Sequence, residues 1–155
     1  MSAPVVILVA TMSGTAEMVA DALADAVEES DAEASVKRME KFSAGDFAND
    51  TLYIICSSTY GDGEVPDNGK ALFEQLNSER PDLKGVKYGV VALGDSVYPN
   101  TFCFGGKKFD ELLTSLGAER IGERLQHDSR SADYPEDVAE EWVGGWLSDA
   151  KSAVE

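Results

Sequence analysis

Three short apolar runs in this chain each end in a turn of glycine, hydroxyl and aromatic residues. Val5-Val6-Ile7-Leu8-Val9-Ala10 gives way to Thr11-Met12-Ser13-Gly14-Thr15-Ala16-Glu17. Leu52-Tyr53-Ile54-Ile55-Cys56-Ser57 gives way to Ser58-Thr59-Tyr60-Gly61-Asp62-Gly63, and the run over 86–93 to Gly94-Asp95-Ser96-Val97-Tyr98. A continuous apolar run of this length suits a strand buried on both faces, as in a parallel sheet. In an open parallel α/β sheet, ligands bind beyond the carboxyl ends of the strands. The three turns are therefore expected to converge on one site.

Helical spacing separates these runs. Val19, Leu23, Ala26 and Val27 predict a helix over 16–27, and Ala71, Leu72 and Leu76 predict one over 68–78. Phe109, Leu112, Leu113 and Leu116 predict a third over 107–116, with Gly117 after its last turn. A closing helix is expected over 136–154, with Trp142 and Trp146 on its core stripe. A weak second strand is expected over 34–39 and a short fifth strand over 118–125. This alternation predicts a doubly wound, five-stranded parallel sheet with helices on both faces, in the order 2-1-3-4-5, forming one domain over 1–155.

Thirteen Lys and Arg residues against 29 Asp and Glu give a net charge of −16. That acidity argues against nucleic acid and anionic membranes as partners and favours a basic protein. Solubility or a saline habitat explains the same number equally well. No basic leader and no apolar run near membrane-spanning length is present, so a cytoplasmic protein is expected. Cys56 and Cys103 have neither metal-ligand nor disulfide-framework spacing. Cys56 is expected to be a buried small hydrophobe, and His127, the single histidine, a loop residue.

Each turn has its own chemistry. In the first, a phosphate would meet amide N–H groups and the positive end of the helix dipole. Thr11, Ser13 and Thr15 offer hydroxyls, and Gly14 permits close backbone approach. The turn contains no lysine, so it is not a P-loop, and it does not match G-x-G-x-x-G. An ordinary N-cap by Ser13 or Thr15 is the bland alternative. In the second turn, Tyr60 leaves a buried strand directly into Gly61, whose peptide can adopt either orientation at low cost. In the third, Tyr98, Phe102, Cys103 and Phe104 are too apolar for a solvated loop. Tyr98 offers a stacking face, and the Gly94–Asp95 backbone could meet a heterocycle edge. Phe102 and Phe104 are expected mainly to anchor the loop.

Together the motifs Ser13-Gly14-Thr15-Ala16-Glu17, Ser58-Thr59-Tyr60-Gly61-Asp62-Gly63 with Pro66-Asp67-Asn68, and Leu93-Gly94-Asp95-Ser96-x-Tyr98 resemble the flavodoxin family. Phe102-Cys103, Lys107-Lys108-Phe109-Asp110 and Pro135-Glu136-Asp137 with Glu140-Glu141-Trp142 extend the resemblance over nearly the whole chain. It is nearest to the short-chain, MioC-like flavodoxins and reaches the FMN domains of cytochrome P450 reductase and sulfite reductase. The resemblance implies a flavodoxin-like fold and non-covalent FMN. It implies that Thr11, Met12, Ser13, Gly14, Thr15 and Ala16 hold the phosphate, and that Tyr60 and Tyr98 flank the isoalloxazine. Ser58, Thr59, Gly61 and Gly63 would line the second side. Leu93, Gly94, Asp95, Asn100, Thr101, Phe102 and Cys103 would line the third, with Asp128 at the periphery. Gly61 would let its peptide follow flavin N5, an acceptor when oxidised and a donor once protonated. Met12 stands where many members carry a polar residue, and Asn100 is an extra residue relative to some.

The expected function is electron transfer by a monomeric carrier without a reaction of its own. It would take single electrons from an NADPH-dependent flavodoxin or ferredoxin reductase and pass them to an acceptor redox enzyme. An NAD(P)H-dependent flavin or quinone reductase is the alternative, although the chain has no second dinucleotide fingerprint. A receiver domain shares the strand order, but Thr11-Met12-Ser13 and Cys56-Ser57-Ser58 stand where its acidic residues would be needed.

Overall fold

A computed structural model describes residues 4–11, 14–59, 65–95 and 102–154. The order is β1 (Val5–Ala10), α1 (Thr15–Glu29), β2 (Ala34–Arg38), two single 3-10 turns (Met39–Lys41 and Ala44–Asp46) and β3 (Leu52–Ser57). Then come α2 (Asp67–Glu79), β4 (Lys87–Gly94), α3 (Phe104–Ser115), β5 (Glu119–Arg120), β6 (Leu125–Asp128) and α4 (Pro135–Val154). All strand pairs are parallel, in the order β2-β1-β3-β4-β5, with β6 also on β4.

Alternation along the central strands divides the core. Val5, Ile7 and Val9 of β1 and Leu52, Ile54 and Cys56 of β3 face α1 and α4. Leu8, Tyr53, Ile55, Tyr88 and Val90 face α2 and α3. Central strands buried on both faces explain the uninterrupted apolar runs. The second strand is weak in sequence because β2 lies at the edge, with alternating partial burial.

The expected single fifth strand is corrected to two. β5 and β6 both pair with β4, separated by residues 121–124, where Gly122 has φ of 69°. One carboxylate bridges the break from the neighbouring helix. Asp110 Oδ2 of α3 accepts from Arg124 Nη1 at 2.6 Å and from Arg120 Nη1. Asp110 Oδ1 accepts from Tyr88 Oη of β4 at 2.7 Å. His127 is likewise corrected: it belongs to β6 and is buried.

The third helix begins at Phe104, three residues before the expected 107. Gly105 and Gly106 belong to its first turn because the helix presses on the sheet there. A Cβ on Gly105 would lie 2.1 Å from Ser58 O, and one on Gly106 would lie 2.5 Å from Ala92 Cβ. Trp142 and Trp146 stack with centroids 5.8 Å apart, and Trp146 is buried against β4.

Candidate functional site

The sheet register brings the exits of the strands together. Ala10 pairs with Ser57, and Ser57 with Ala92. Two residues further along β4, Gly94 pairs with Asp128 at the end of β6. Ser58 N donates to Ala10 O at 2.9 Å, and Ser129 N to Gly94 O at 2.8 Å, so neighbouring exits are tied together.

Between these exits lies a cleft of ≈ 210 Å³ lined by Thr15, Ser58, Thr59, Leu93, Gly94, Asp95 and Ser129. At its floor, Thr59 Oγ1 donates to Leu93 O at 3.0 Å and accepts from Gly105 N at 2.9 Å. At its side, Arg130 Nε donates to Asp95 Oδ1 at 2.8 Å, while Arg130 N donates to Asp128 Oδ1 at 2.9 Å. Asp95 and Asp128 therefore sit on one rim, joined through Arg130.

The cleft opens beside the start of α1. Gly14 is its N-cap with φ of 90°, a conformation costly for other residues, and open space surrounds the position of an added Cβ. Gly14 N donates to Thr11 Oγ1 at 3.0 Å, which leaves the Thr11 hydroxyl hydrogen to donate elsewhere. Among the described residues no side chain caps α1. The N-terminus of α1, with its first-turn amides and the positive end of its dipole, is a donor set that fits a phosphate monoester without a lysine. Ala16 is fully buried, so only its backbone is suited to a ligand.

A second cavity of ≈ 340 Å³ adjoins the cleft at Thr15, Leu93, Gly94 and Ser129. Its walls include Met18 of α1 and Tyr134 before α4, both exposed, together with buried His127. His127 Nε2 lies 3.1 Å from Asp133 O and 3.3 Å from Ser131 Oγ.

Of the expected site residues, Thr11, Gly14, Thr15, Ala16, Ser58, Thr59, Leu93, Gly94, Asp95 and Asp128 surround the strand ends. Phe102 is half-buried on the face carrying α2 and α3. Cys103 is fully buried with φ of 57°, its Sγ 3.4 Å from Ala92 O and 3.7 Å from His127 O. Burial pushes its thiol up to about 12, and its side chain lies under the cleft. Phe104 opens α3 and carries Lys107 Nζ 4.9 Å from its ring centroid. Met12, Ser13, Tyr60, Gly61, Gly63, Tyr98, Asn100 and Thr101 lie outside the described residues.

Sequence reasoning gave no structural role to Asn68, Ser129, Arg130 or Arg38. From sequence Asn68 is expected as the first residue of the helix over 68–78 and as part of the resemblance, with no role for its side chain. Arg38 Nη1 donates to Glu17 Oε2 of α1 at 2.8 Å and Arg38 Nε to Glu40 Oε1 at 3.0 Å. Desolvation opposes ionisation of Glu40, but hydrogen bonds from Arg38 and Asn68 and the arginine charge outweigh it and hold the carboxyl below its ordinary range. Only the juxtaposition of separate elements could have revealed these contacts.

The flavodoxin family model matches residues 7–142. The chain is 36% identical over 135 residues to Protein MioC of Escherichia coli strain K12, covering 87% of this chain and 90% of that protein. It is 41% identical over 142 residues to the sulfite reductase [NADPH] flavoprotein alpha-component of Vibrio cholerae, covering 91% of this chain and 22% of that protein. Among solved structures, a cysteine-to-alanine mutant of flavodoxin from Pseudomonas aeruginosa superposes with a TM-score of 0.83 at 31% identity, covering 94% of this chain and 97% of that one. A flavodoxin of Streptococcus pneumoniae TIGR4 gives 0.81 at 31%, covering 94% and 99%. The chain belongs to the flavodoxin family, and FMN is its cofactor.

Proposed function

We propose that this protein is a one-electron carrier that receives electrons from a basic, NADPH-dependent flavodoxin or ferredoxin reductase and delivers them to an acceptor redox enzyme. The observation that carries the reading is the cleft at the ends of β1, β3 and β4, beside a helix N-terminus that no described side chain caps. FMN supplies the redox chemistry, and the chain supplies binding, orientation and electrostatics.

Thr11, Met12, Ser13, Gly14, Thr15 and Ala16 would hold the phosphate. Ser58, Thr59, Leu93, Gly94 and Asp95 would line the sugar alcohol and the ring edge, with Asp128 on the rim. Tyr60 and Tyr98 would flank the ring, and Gly61, Gly63, Asn100, Thr101, Phe102 and Cys103 would complete the two loops. The charge of −16 favours a basic partner. The reading takes the chain as one cytoplasmic unit, acting as a monomer. No helix among the described residues is long and apolar enough to cross a membrane.

The ≈ 340 Å³ cavity beside the cleft favours a second reading, an NAD(P)H-dependent flavin or quinone reductase with room for an organic substrate. One experiment separates the two. The purified protein should be yellow and release FMN on denaturation. NADPH by itself should leave the visible band unchanged, and catalytic reductase plus NADPH should bleach it. Bleaching by NADPH without reductase would overturn the carrier reading. A colourless protein that fails to take up added FMN would overturn both.

A further inference from the structure

The sequence places Asn68-Gly69 directly after the second turn, at the start of α2. In the structure this pair meets the first turn instead. Gly69 lets α2 settle onto the end of β1: an added Cβ would lie 2.9 Å from Ala10 Cβ and 3.0 Å from Val65 Cγ1. That approach carries the Asn68 amide to the peptides on either side of Ala10. Asn68 Nδ2 donates to Val9 O at 2.9 Å, and Asn68 Oδ1 accepts from Thr11 N at 2.8 Å. The amide group thus takes the place of a further strand alongside β1, at the point where the chain must leave the sheet.

The contact continues in both directions. Thr11, fixed through its own N–H, presents Oγ1 to Gly14 N, the N-cap of α1. On the other side, Asn68 Nδ2 lies 3.4 Å from Glu40 Oε1, which also accepts from Arg38, and Arg38 reaches Glu17 in the first turn of α1. A chain of side-chain contacts therefore runs from α2 around the base of the 11–16 turn and back to α1. Its charged members are Glu17, Arg38 and Glu40. On α2 itself, Asp67 pairs with Lys70 at 3.0 Å.

We propose that Asn68 is the positioning residue of the phosphate loop: its side-chain amide sets the Thr11 peptide so that Thr11, Gly14 and the first amides of α1 converge on the phosphate. The inference rests on reading residues 11–16 as the phosphate loop. A half-buried amide that both donates and accepts has few substitutes. Aspartate retains the acceptor and the shape, but ionised it sets a negative oxygen against Val9 O and the Glu40 carboxylate.

The test compares apoprotein affinity for FMN and riboflavin by fluorescence titration, in the native chain and in Asn68→Ala and Asn68→Asp. The native chain should prefer FMN; equal affinities would sink the phosphate-loop reading itself. Asn68→Ala should weaken FMN about tenfold relative to riboflavin, as expected for losing one well-placed contact to a charged group. Retained riboflavin binding certifies that the variant is folded. Asn68→Asp should resemble Asn68→Ala at pH 8. Its FMN affinity relative to the native chain should recover as the pH falls towards about 4, because a protonated aspartate regains the donor to Val9 O. Equal loss of both ligands in Asn68→Ala, no loss of either, or a pH-independent deficit in Asn68→Asp would overturn the proposal.

Discussion

Thr59 and Gly105 lock the second and third loops together: Gly105 N donates to Thr59 Oγ1 at 2.9 Å, and the same hydroxyl donates to Leu93 O at 3.0 Å. One side chain thereby satisfies the amide that starts α3 and the carbonyl near the end of β4. The helix comes close enough only because residue 105 has no Cβ, which would lie 2.1 Å from Ser58 O.

Thr59→Val removes the hydroxyl at nearly constant shape and orphans both backbone groups. About 1–3 kcal/mol of stability should be lost, because a partly buried donor or acceptor left unpaired bears its desolvation cost. Thr59→Ser should restore most of it. Urea midpoints of the three proteins check this; a native midpoint for Thr59→Val would mean that water replaces the hydroxyl.

Asp110 holds the break between β5 and β6. It is buried and accepts from Arg120 and Arg124 on one oxygen and from Tyr88 on the other. Asp110→Ala leaves two guanidiniums without their shared partner. Breaking such a pair costs about 3–5 kcal/mol when fully buried, and the lower end is expected here because both arginines reach solvent. Chemical denaturation should show this loss with FMN affinity close to native in dilute buffer. Equal stabilities would mean that backbone pairing with β4 suffices.

Cys56 and Cys103 tie stability to alkaline pH. Burial pushes each thiol from 9.0 up to about 12. The unfolded chain therefore releases these protons first, and the stability of the neutral thiols is complete below about 9. It falls as the pH rises from 9 towards 12, by at most about 1.4 kcal/mol per pH unit for each thiol. Melting temperatures between pH 8 and 11 should fall less steeply in Cys56→Ala/Cys103→Ala than in the native protein. Parallel slopes would show that other groups set the alkaline limit.

The net charge of −16 should steer the protein to a basic reductase. Such steering is screened with a Debye length of about 10 Å at 0.1 M salt. Stopped-flow reduction should slow markedly as salt is raised. Asp62→Asn/Glu64→Gln, in and just after the second turn of the sequence, should lower the rate at low salt and flatten the dependence with little change in FMN affinity. A rate indifferent to salt would assign the acidity to solubility.

The apolar runs at 5–10 and 52–57 coincide with β1 and β3, because strands buried on both faces leave an uninterrupted apolar signal. Of the turns after them, Thr11 and Ser58-Thr59 stand at the strand exits, and residues 12–13 and 60–64 lie outside the described residues. The chain could not display what depends on distant segments meeting. His127 looked like a loop residue because β6 has only four residues and pairs with the end of β4. The start of α3 was hidden because Gly105 and Gly106 discourage a helix locally, yet they are what lets it pack on Ser58 and Ala92. Asn68 gave no sign of supporting a loop 57 residues away, because hydrogen bonding to Val9 and Thr11 exists only once α2 lies on β1. Periodicity, local in range, thus determined β1 to β4 and their alternation with helices, but not the division of the fifth strand into β5 and β6. The tertiary structure decided which polar side chains brace the loops, because a hydrogen bond needs its two partners within about 3 Å and only packing brings them there.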